Sequence, residues 1–347
     1  ANRALTIDLG GHTLDITGAG QYHSFSTQAA QSNTSFTLKN GRIYSNGKAS
    51  LATIHSGGNN TFRLAFEDLS IELGASFGET SALIRHGYHS PPTYLATYDI
   101  TFTDCDIDIS ACNSSSLFAI RAGYFGGGYQ LNWKVNGGSL TTGTSTFYSN
   151  NIKMEKGGSL TFGKGSDGQT FKVVTTSDLS GKISYKDLDG AAHYFGATST
   201  DGTTYAHTLM SLSTPYGDIP TDKLSPLSYP ILLYVKENGS WKYTNAYSAL
   251  PTTYGYGKEA VLLLRTDYAM TSVAHKLDTI GANSTLTIDL GGNTLDITKG
   301  GQYCSFGFDA TTENATFRLV NGSIYSNGKA SVVCITSSGN NTANIEL

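Results

Sequence analysis

The feature that most constrains this chain is a near-copy of its own beginning, 281 residues further along. Residues 1–66 align without a gap on residues 282–347, and 39 of the 66 aligned positions are identical. The segment LTIDLGGHTLDIT at residues 5–17 returns as LTIDLGGNTLDIT at residues 286–298. A period this long is that of a whole domain, because one supersecondary unit needs far fewer residues. The chain therefore contains one full period and the start of a second.

A shorter and less regular period runs inside each copy. Strand-like segments such as SFTLKNGRIYS and TFRLAFEDLSIEL begin at intervals of about 26 to 38 residues, and each joins two short alternating strands through a turn. A coil of three short strands and three turns needs about that many residues. Alternate side chains of such a coil point into a narrow core, and its backbone bonds to the next coil. The sequence thus predicts an all-β, right-handed parallel β-helix, with an antiparallel sandwich as the alternative.

This pattern predicts parallel strands over residues 5–176 and again from residue 286 onward. The side chains expected to face the core are Ile7, Leu9, Leu14, Ile16, Phe36, Leu38 and Ile43.

Two segments carry a family resemblance. LTIDLGGHTLDIT resembles the opening coil of pectin-lyase-like right-handed β-helix proteins, and TFTDCDIDIS resembles an internal coil of that superfamily. The resemblance covers residues 1–176 and 258–347. Together with the long repeat, it implies a tandem-repeat surface or adhesin-like protein of a bacterium or archaeon, secreted or at the cell surface. It implies no single activity, because the superfamily includes lyases, hydrolases, phage tailspikes and adhesin stalks.

The sequence divides into three parts. Residues 1–176 are predicted to form a parallel β-helix, and residues 258–347 the N-terminal part of a second one. Between them, residues 177–257 are rich in Tyr and Pro and are expected to be a β-rich module that links the two helices and caps them. Within this module YPILLYVKENGSWKYTNAYSAL predicts a hairpin that turns at Asn238 and Gly239.

Composition excludes two classes of partner. Only 14% of the residues are charged and the formal net charge is -4, so the basic surface of a nucleic-acid-binding protein is missing. The sequence contains no run of 18 apolar residues, and we expect no membrane insertion within it.

Three carboxylates form the first candidate site. Asp104, Asp106 and Asp108 alternate with apolar residues, and in a regular strand they would share one face. Oxygen ligands of this kind suit calcium, the one cofactor that the sequence suggests, and the alternative is a solvated polar face. The sequence places neither Arg85 nor Arg121 beside them. Because the Asp pair, Gly-His-Gly and Arg-Ile-Lys patterns of polygalacturonase-like enzymes are missing, we assign no catalytic residue; enzymatic activity is left open, and a non-catalytic role is favoured.

Aromatic side chains form the second candidate site. Exposed aromatic rings stack on sugars, whereas rings at alternate strand positions also fill cores and caps. The candidates for glycan stacking are Tyr124, Tyr129, Trp133, Trp241, Tyr243 and Tyr247.

The cysteines and two histidines give further expectations. By alternation Cys304 faces the core and Cys334 faces solvent, so no disulfide is expected between them. The cysteines are interpreted as core thiols, and if a disulfide forms, Cys105 and Cys112, seven residues apart across a turn, are the more favourable pair. His193 and His207 match no metal-binding spacing and are predicted to lie in surface loops.

Two functions follow from these observations. The first is a structural or adhesive repeat unit of a long extracellular protein or filament, whose partners are neighbouring copies joined end to end. The second is a protein that binds or degrades polysaccharides. In the first case the second copy should continue beyond Leu347, which has the register of Phe66, and a segment like residues 234–281 should precede residue 1.

Overall fold

The chain is an all-β protein, about 2% helical, that contains about eight turns of parallel β-solenoid. It divides into two compact units, Ala1–Met210 and Ser211–Leu347, so the boundary falls inside the stretch 177–257 that the sequence marks as one module. A computed structural model describes residues 3–19, 23–28, 34–47, 50–55, 60–75, 83–86, 96–111, 121–122, 129–142, 158–186, 191–271, 275–300, 303–309, 314–328, 331–336 and 341–347.

The first unit consists of short strands. They are β1 (Ala4–Asp8), β2 (Thr13–Asp15), β3 (His23–Gln28), β4 (Thr34–Ser45), β5 (Ser50–His55), β6 (Thr61–Leu73), β7 (Ile84–His86), β8 (Ala96–Thr103), β9 (Asp106–Asp108), β10 (Arg121–Ala122), β11 (Tyr129–Asn136), β12 (Ser139–Thr141), β13 (Gly158–Gly163), β14 (Lys172–Thr175), β15 (Ser184–Lys186), β16 (Ala192–Thr200) and β17 (Tyr205–Met210).

These strands stack as coils with three faces. The first face contains β1, β8, β11, β13 and the leading halves of β4 and β6; the second contains β2, β9, β12, β14 and their trailing halves. The third face contains β3, β5, β7 and β10. All these pairings are parallel, with register offsets from 27 residues, between Leu131 and Gly158, to 36, between Thr61 and Thr97. The predicted parallel solenoid and its period are confirmed.

A left-handed backbone residue marks the corner between the first and second faces in successive coils. Gly, Asn and Asp adopt this conformation at little steric cost, which explains the Asn and Gly turns seen in the sequence. The corner residues have φ values between 50° and 71°, and they are Gly10, Asn40, Asp68, Asp104, Gly137 and Gly138.

The core is the one that alternation predicts. Ile16, Phe36, Leu38 and Ile43 are buried, and the three remaining predicted residues are partly buried against the same cluster. Those three, Ile7, Leu9 and Leu14, belong to the first coil.

Aromatic rings of neighbouring coils stack inside this core. The ring of Phe102 lies 4.8 Å from that of Phe66 and 5.9 Å from that of Trp133, with interplanar angles of 19° and 5°. Each buried ring of this size contributes about 1.5–3 kcal/mol through apolar burial alone. The stack therefore ties three coils together along the solenoid axis.

Antiparallel strands follow the last coil of the first unit. β17 pairs with the edge of β14, and β16 and β15 extend the sheet, all antiparallel. Phe195 of β16 is buried with its ring edge against Phe162 of β13 at 5.5 Å. Residues 184–210 therefore belong to the first unit.

The second unit contains more strands and two short 3-10 helices, at Thr221–Lys223 and Leu277–Thr279. The strands are β18 (Ser213–Thr214), β19 (Gly217–Asp218), β20 (Ile231–Glu237), β21 (Ser240–Tyr247), β22 (Glu259–Leu264), β23 (Tyr268–Ala269), β24 (His275–Lys276), β25 (Thr285–Asp289), β26 (Thr294–Asp296), β27 (Cys304–Asp309), β28 (Ala315–Val320), β29 (Ser323–Tyr325), β30 (Ser331–Thr336) and β31 (Ala343–Glu346).

A complete coil precedes the second copy. β22, β23 and β24 pair in parallel with β25, β26 and β27, so residues 259–276 occupy all three faces before the repeat begins. β20 then adds antiparallel to the outer edge of β22. β20 and β21 form the predicted hairpin, with both turn residues, Asn238 and Gly239, at positive φ.

We predict that Phe102→Ala destabilises the first unit by about 3–5 kcal/mol, because it removes the central ring of the stack and leaves a cavity. Denaturant unfolding followed by fluorescence would measure this loss. The matched control is Tyr303→Ala, whose side chain is 74% exposed and should change stability by about 0.5 kcal/mol or less. Equal effects of the two substitutions would contradict the stacked core.

Candidate functional site

A polar cleft of about 620 Å³ lies in the first unit, between the second face of the solenoid and the hairpin of β16 and β17. Carboxylates, hydroxyls and one lysine line it. The lining residues are Asp104, Asp106, Gly138, Ser139, Ser166, Asp167, Gln169, Lys172, Val174, Ser199, Thr200, Asp201, Thr204 and Ala206.

Asp104 lies at a corner, not on a strand face. Its φ of 50° interrupts the alternation, so the prediction that three carboxylates share one strand face is wrong at this residue. Its carboxylate accepts the backbone N–H of Ser166 at 3.0 Å and so ties together coils 62 residues apart. A Cβ at Gly165 would lie 1.9 Å from Asp104 Oδ1, so a side chain there would displace this carboxylate.

The other carboxylates of the cleft also have hydrogen-bond donors. Asp106 accepts from the hydroxyl of Ser139 at 2.7 Å. Asp201 accepts from the backbone N–H groups of Thr203 and Thr204 and from both hydroxyls, and these bonds lower the pKa of its carboxyl below the usual range. The hydrogen bonds of its own turn thus hold the Asp201 carboxylate in place.

The structure brings Asp104 and Asp106 to the cleft, but Asp108 is not among the lining residues and instead accepts the N–H of Ser110 at 2.8 Å. Among the described residues, no three His, Cys, Asp or Glu side chains lie close enough to hold one metal ion together. Calcium binding by these residues stays a prediction.

The backbones of Arg85 and Arg121 pair with each other on the third face, away from this cleft.

His207 attaches the hairpin to the solenoid. It is fully buried in β17, so its predicted place in a surface loop is wrong; pairing of β17 with β14 turns the ring inward. The N–H of Leu179 donates to Nε2 at 2.9 Å, and Nδ1 lies 3.1 Å from the carbonyl of Val173. Nε2 therefore accepts, Nδ1–H donates, and the ring is neutral.

The aromatic candidates separate into two groups. Trp133 is buried in the ring stack, which excludes it from stacking on a sugar. Tyr124 and the side chain of Tyr129 lie outside the described residues.

In the second unit Trp241, Tyr243 and Tyr247 are half-buried on β21. Trp241 meets the ring of Tyr216 edge to face at 5.3 Å, and Tyr243 meets that of Tyr234 in the same way at 6.0 Å. Trp241 and Tyr243 thus pack against other aromatic rings of the same module. Glycan stacking here stays a prediction.

A second, apolar cavity of about 500 Å³ lies at the β1 end of the first unit. Among the described residues β1 pairs only with β4, so its other edge faces this opening. The lining residues are Arg3, Ala4, Leu5, Phe25, Thr34, Ser35, Phe36, Ala52, Phe62 and Leu64.

The second copy shows the same residues covered. Leu5 is 58% exposed, whereas its counterpart Leu286 is 1% exposed. The ring pair Phe25 and Phe36, 5.1 Å apart, is reproduced by Phe306 and Phe317 at 5.2 Å. In the second copy, however, the ring of His275 lies 5.6 Å from that of Phe306 and covers it.

A corner carboxylate shows the same difference. Asp8 and Asp289 are counterparts, and each accepts the side-chain amide of the corner Asn in the next coil, Asn40 or Asn321. Asp289 is also buried beneath Tyr216, whose hydroxyl donates to it at 2.6 Å. The residues that receive the covering module in the second copy are thus present in the first.

The comparisons with protein-family models, curated proteins and solved structures found no match to this chain. Among the residues that the structure describes, none form a helix long and apolar enough to cross a membrane.

We predict that acid loosens the hairpin over the cleft. Burial, partly offset by hydrogen bonding and by Asp178 at 3.8 Å, holds the pKa of His207 below its usual 6.5. Because the folded pKa is the lower one, neutral His207 stabilises the fold above pH 6.5, and this contribution is lost as the pH falls from 6.5 through the folded pKa. Hydrogen exchange at the Leu179 amide, measured from pH 7.5 to 5, would follow the loosening.

His207→Gln should remove this pH dependence, whereas substitution of the exposed His12 by Gln should leave it unchanged. If the same acid response persists in His207→Gln, another group is responsible.

Proposed function

We propose that this chain is a structural repeat segment of a longer extracellular surface protein or filament, secreted or held at the cell surface, with no catalytic activity of its own. In such an array each solenoid begins on a module like residues 211–281. One observation carries the proposal: Leu286, Ile288 and Asp289, which pack against the module 211–281 in the second copy, recur in the first copy as Leu5, Ile7 and Asp8.

The module that covers the second copy consists of one coil and a hairpin, joined by an apolar core. Residues 259–276 supply one complete coil, β20 and β21 add to its edge, and Met270, Leu277 and Ile280 join the buried cluster around Leu286 and Ile288. The first copy retains Leu5, Ile7 and Asp8, the groups that this module contacts in the second.

We predict that Leu286→Asn destabilises the second unit by about 2–5 kcal/mol, because it places an amide in a closed core. Leu5→Asn should cost less than about 1 kcal/mol, because Leu5 lines an open end. Denaturant unfolding of the two variants would make this comparison.

The array itself is tested by extension. A chain in which residues 211–281 are repeated ahead of residue 1 should slow hydrogen exchange of the β1 amides at least tenfold and should raise the cost of Leu5→Asn to that of Leu286→Asn. Replacing the added copy's counterpart of Tyr216 by Phe should weaken the gain, since Asp8 then loses a donor. Unchanged exchange of β1 in the extended chain would refute the proposal.

Glycan binding in the polar cleft is a second candidate. The cleft volume of about 620 Å³ and its hydroxyl, amide and carboxylate lining suit the hydroxyls of a saccharide. A panel of soluble glycans, screened with and without calcium, should then include a ligand whose binding is lost in Ser199→Trp, which fills the cleft, and kept in Thr253→Trp, an exposed position of the second unit. Binding that survives Ser199→Trp would place the ligand elsewhere.

A further inference from the structure

Two cysteines of the second unit lie at adjacent coils, Cys304 at the start of β27 and Cys334 in β30. Alternation predicts that they face opposite ways, and the structure corrects this. Ser305 and Phe306 are buried one after the other, so alternation is interrupted directly after Cys304. Both cysteines are consequently half-buried instead of one facing in and one out.

The two side chains lie close to each other. The Cys334 thiol lies 3.6 Å from the carbonyl oxygen of Tyr303, the residue directly before Cys304. Gly307 is the strand partner of Cys334, and a Cβ at Gly307 would lie 3.8 Å from Cys304 Sγ. Cys304 and Cys334 are therefore not direct strand partners. Their side chains approach each other beside Gly307, which has no side chain to separate them.

The pair is specific to the second copy. Three positions at this site all differ between the two copies, although 39 of the 66 aligned positions are identical. The second copy has Cys304, Gly307 and Cys334 where the first has His23, Ser26 and Thr53.

We propose that Cys304 and Cys334 are a redox-active thiol pair, which a low-molecular-weight disulfide converts into a cross-link between adjacent coils. One protein thiolate attacks a sulfur of the small disulfide, giving a mixed disulfide and one free small thiol. The second protein thiolate then attacks the protein sulfur of the mixed disulfide and releases the other small thiol. Two protein thiols are oxidised, one small disulfide is reduced, and the two thiol protons pass through solvent to the two small thiolates that are released.

Either thiolate can make the first attack, and the remaining thiol then resolves the mixed disulfide. Cys105 provides an internal reference: it is free and buried, it donates to the carbonyl of Phe66 at 3.3 Å, and burial raises its pKa to about 12.

The test uses the full, reduced chain in buffers of fixed ratio of reduced to oxidised glutathione, followed by alkylation, intact-mass measurement and peptide mapping. We expect a single intramolecular link joining the peptides of Cys304 and Cys334, formed without denaturant, while Cys105 is alkylated only after unfolding. Oxidation should raise the midpoint of thermal unfolding of the second unit by several degrees.

Three variants keep the proposal falsifiable. Cys304→Ser and Cys334→Ser should each accumulate a stable glutathione adduct on the remaining cysteine of the pair, because no second thiol is present to resolve it. The double variant Cys304→His/Cys334→Thr carries the residues of the first copy, and it should fold and show no redox-dependent change in unfolding midpoint. Persistent glutathione adducts on the unmodified chain, a link between two chains, or a link formed only in denaturant would each overturn the proposal.

Discussion

Hydrogen bonding between successive coils is the interaction on which the whole structure depends. A single coil has short strands and a thin core, and each strand can satisfy its backbone only through the coil before it and the coil after it. Every other feature serves this ladder. Left-handed corner residues such as Asn40 and Asp68 keep the faces in register, and stacked rings such as Phe66 and Phe102 fill the core at the spacing of the strands.

The sequence predicts the solenoid well, because both of its signals are periodic. Alternation identified buried residues such as Leu38 and Ile43, and the spacing of strand-like segments gave the length of a coil. The Asn-Gly turn gave the hairpin of β20 and β21. These features depend on local geometry and on side-chain patterns that one chain displays directly.

The sites were harder to predict, because each depends on a break in the alternation or on a distant partner. Asp104 turns a corner instead of continuing a strand, and Cys304 lies beside two consecutive buried residues. His207 is buried because β17 pairs with β14, a contact that no local pattern shows. Cys105 is a free, buried thiol, as its interpretation as a core cysteine predicts, and Cys112 lies outside the described part of the chain. From the sequence, Trp133 fits both a sugar-stacking residue and a core residue, and only its contact with the neighbouring coil decides between the two.

The close similarity of the two copies also bears on how the chain folds. β22 presents the same register to β25 that it could present to β1, since the contacted residues are nearly the same in both copies. Side chains alone therefore distinguish the two pairings poorly. β25 begins 26 residues after β22, whereas β1 lies roughly ten times further away along the chain. Closing the longer loop costs about 2 kcal/mol more in chain entropy, enough to favour the nearer copy by about thirtyfold. Proximity along the chain, more than recognition between side chains, thus decides which copy nucleates on β22. The correct assembly of repeated units therefore depends on keeping each starting coil directly ahead of its own solenoid.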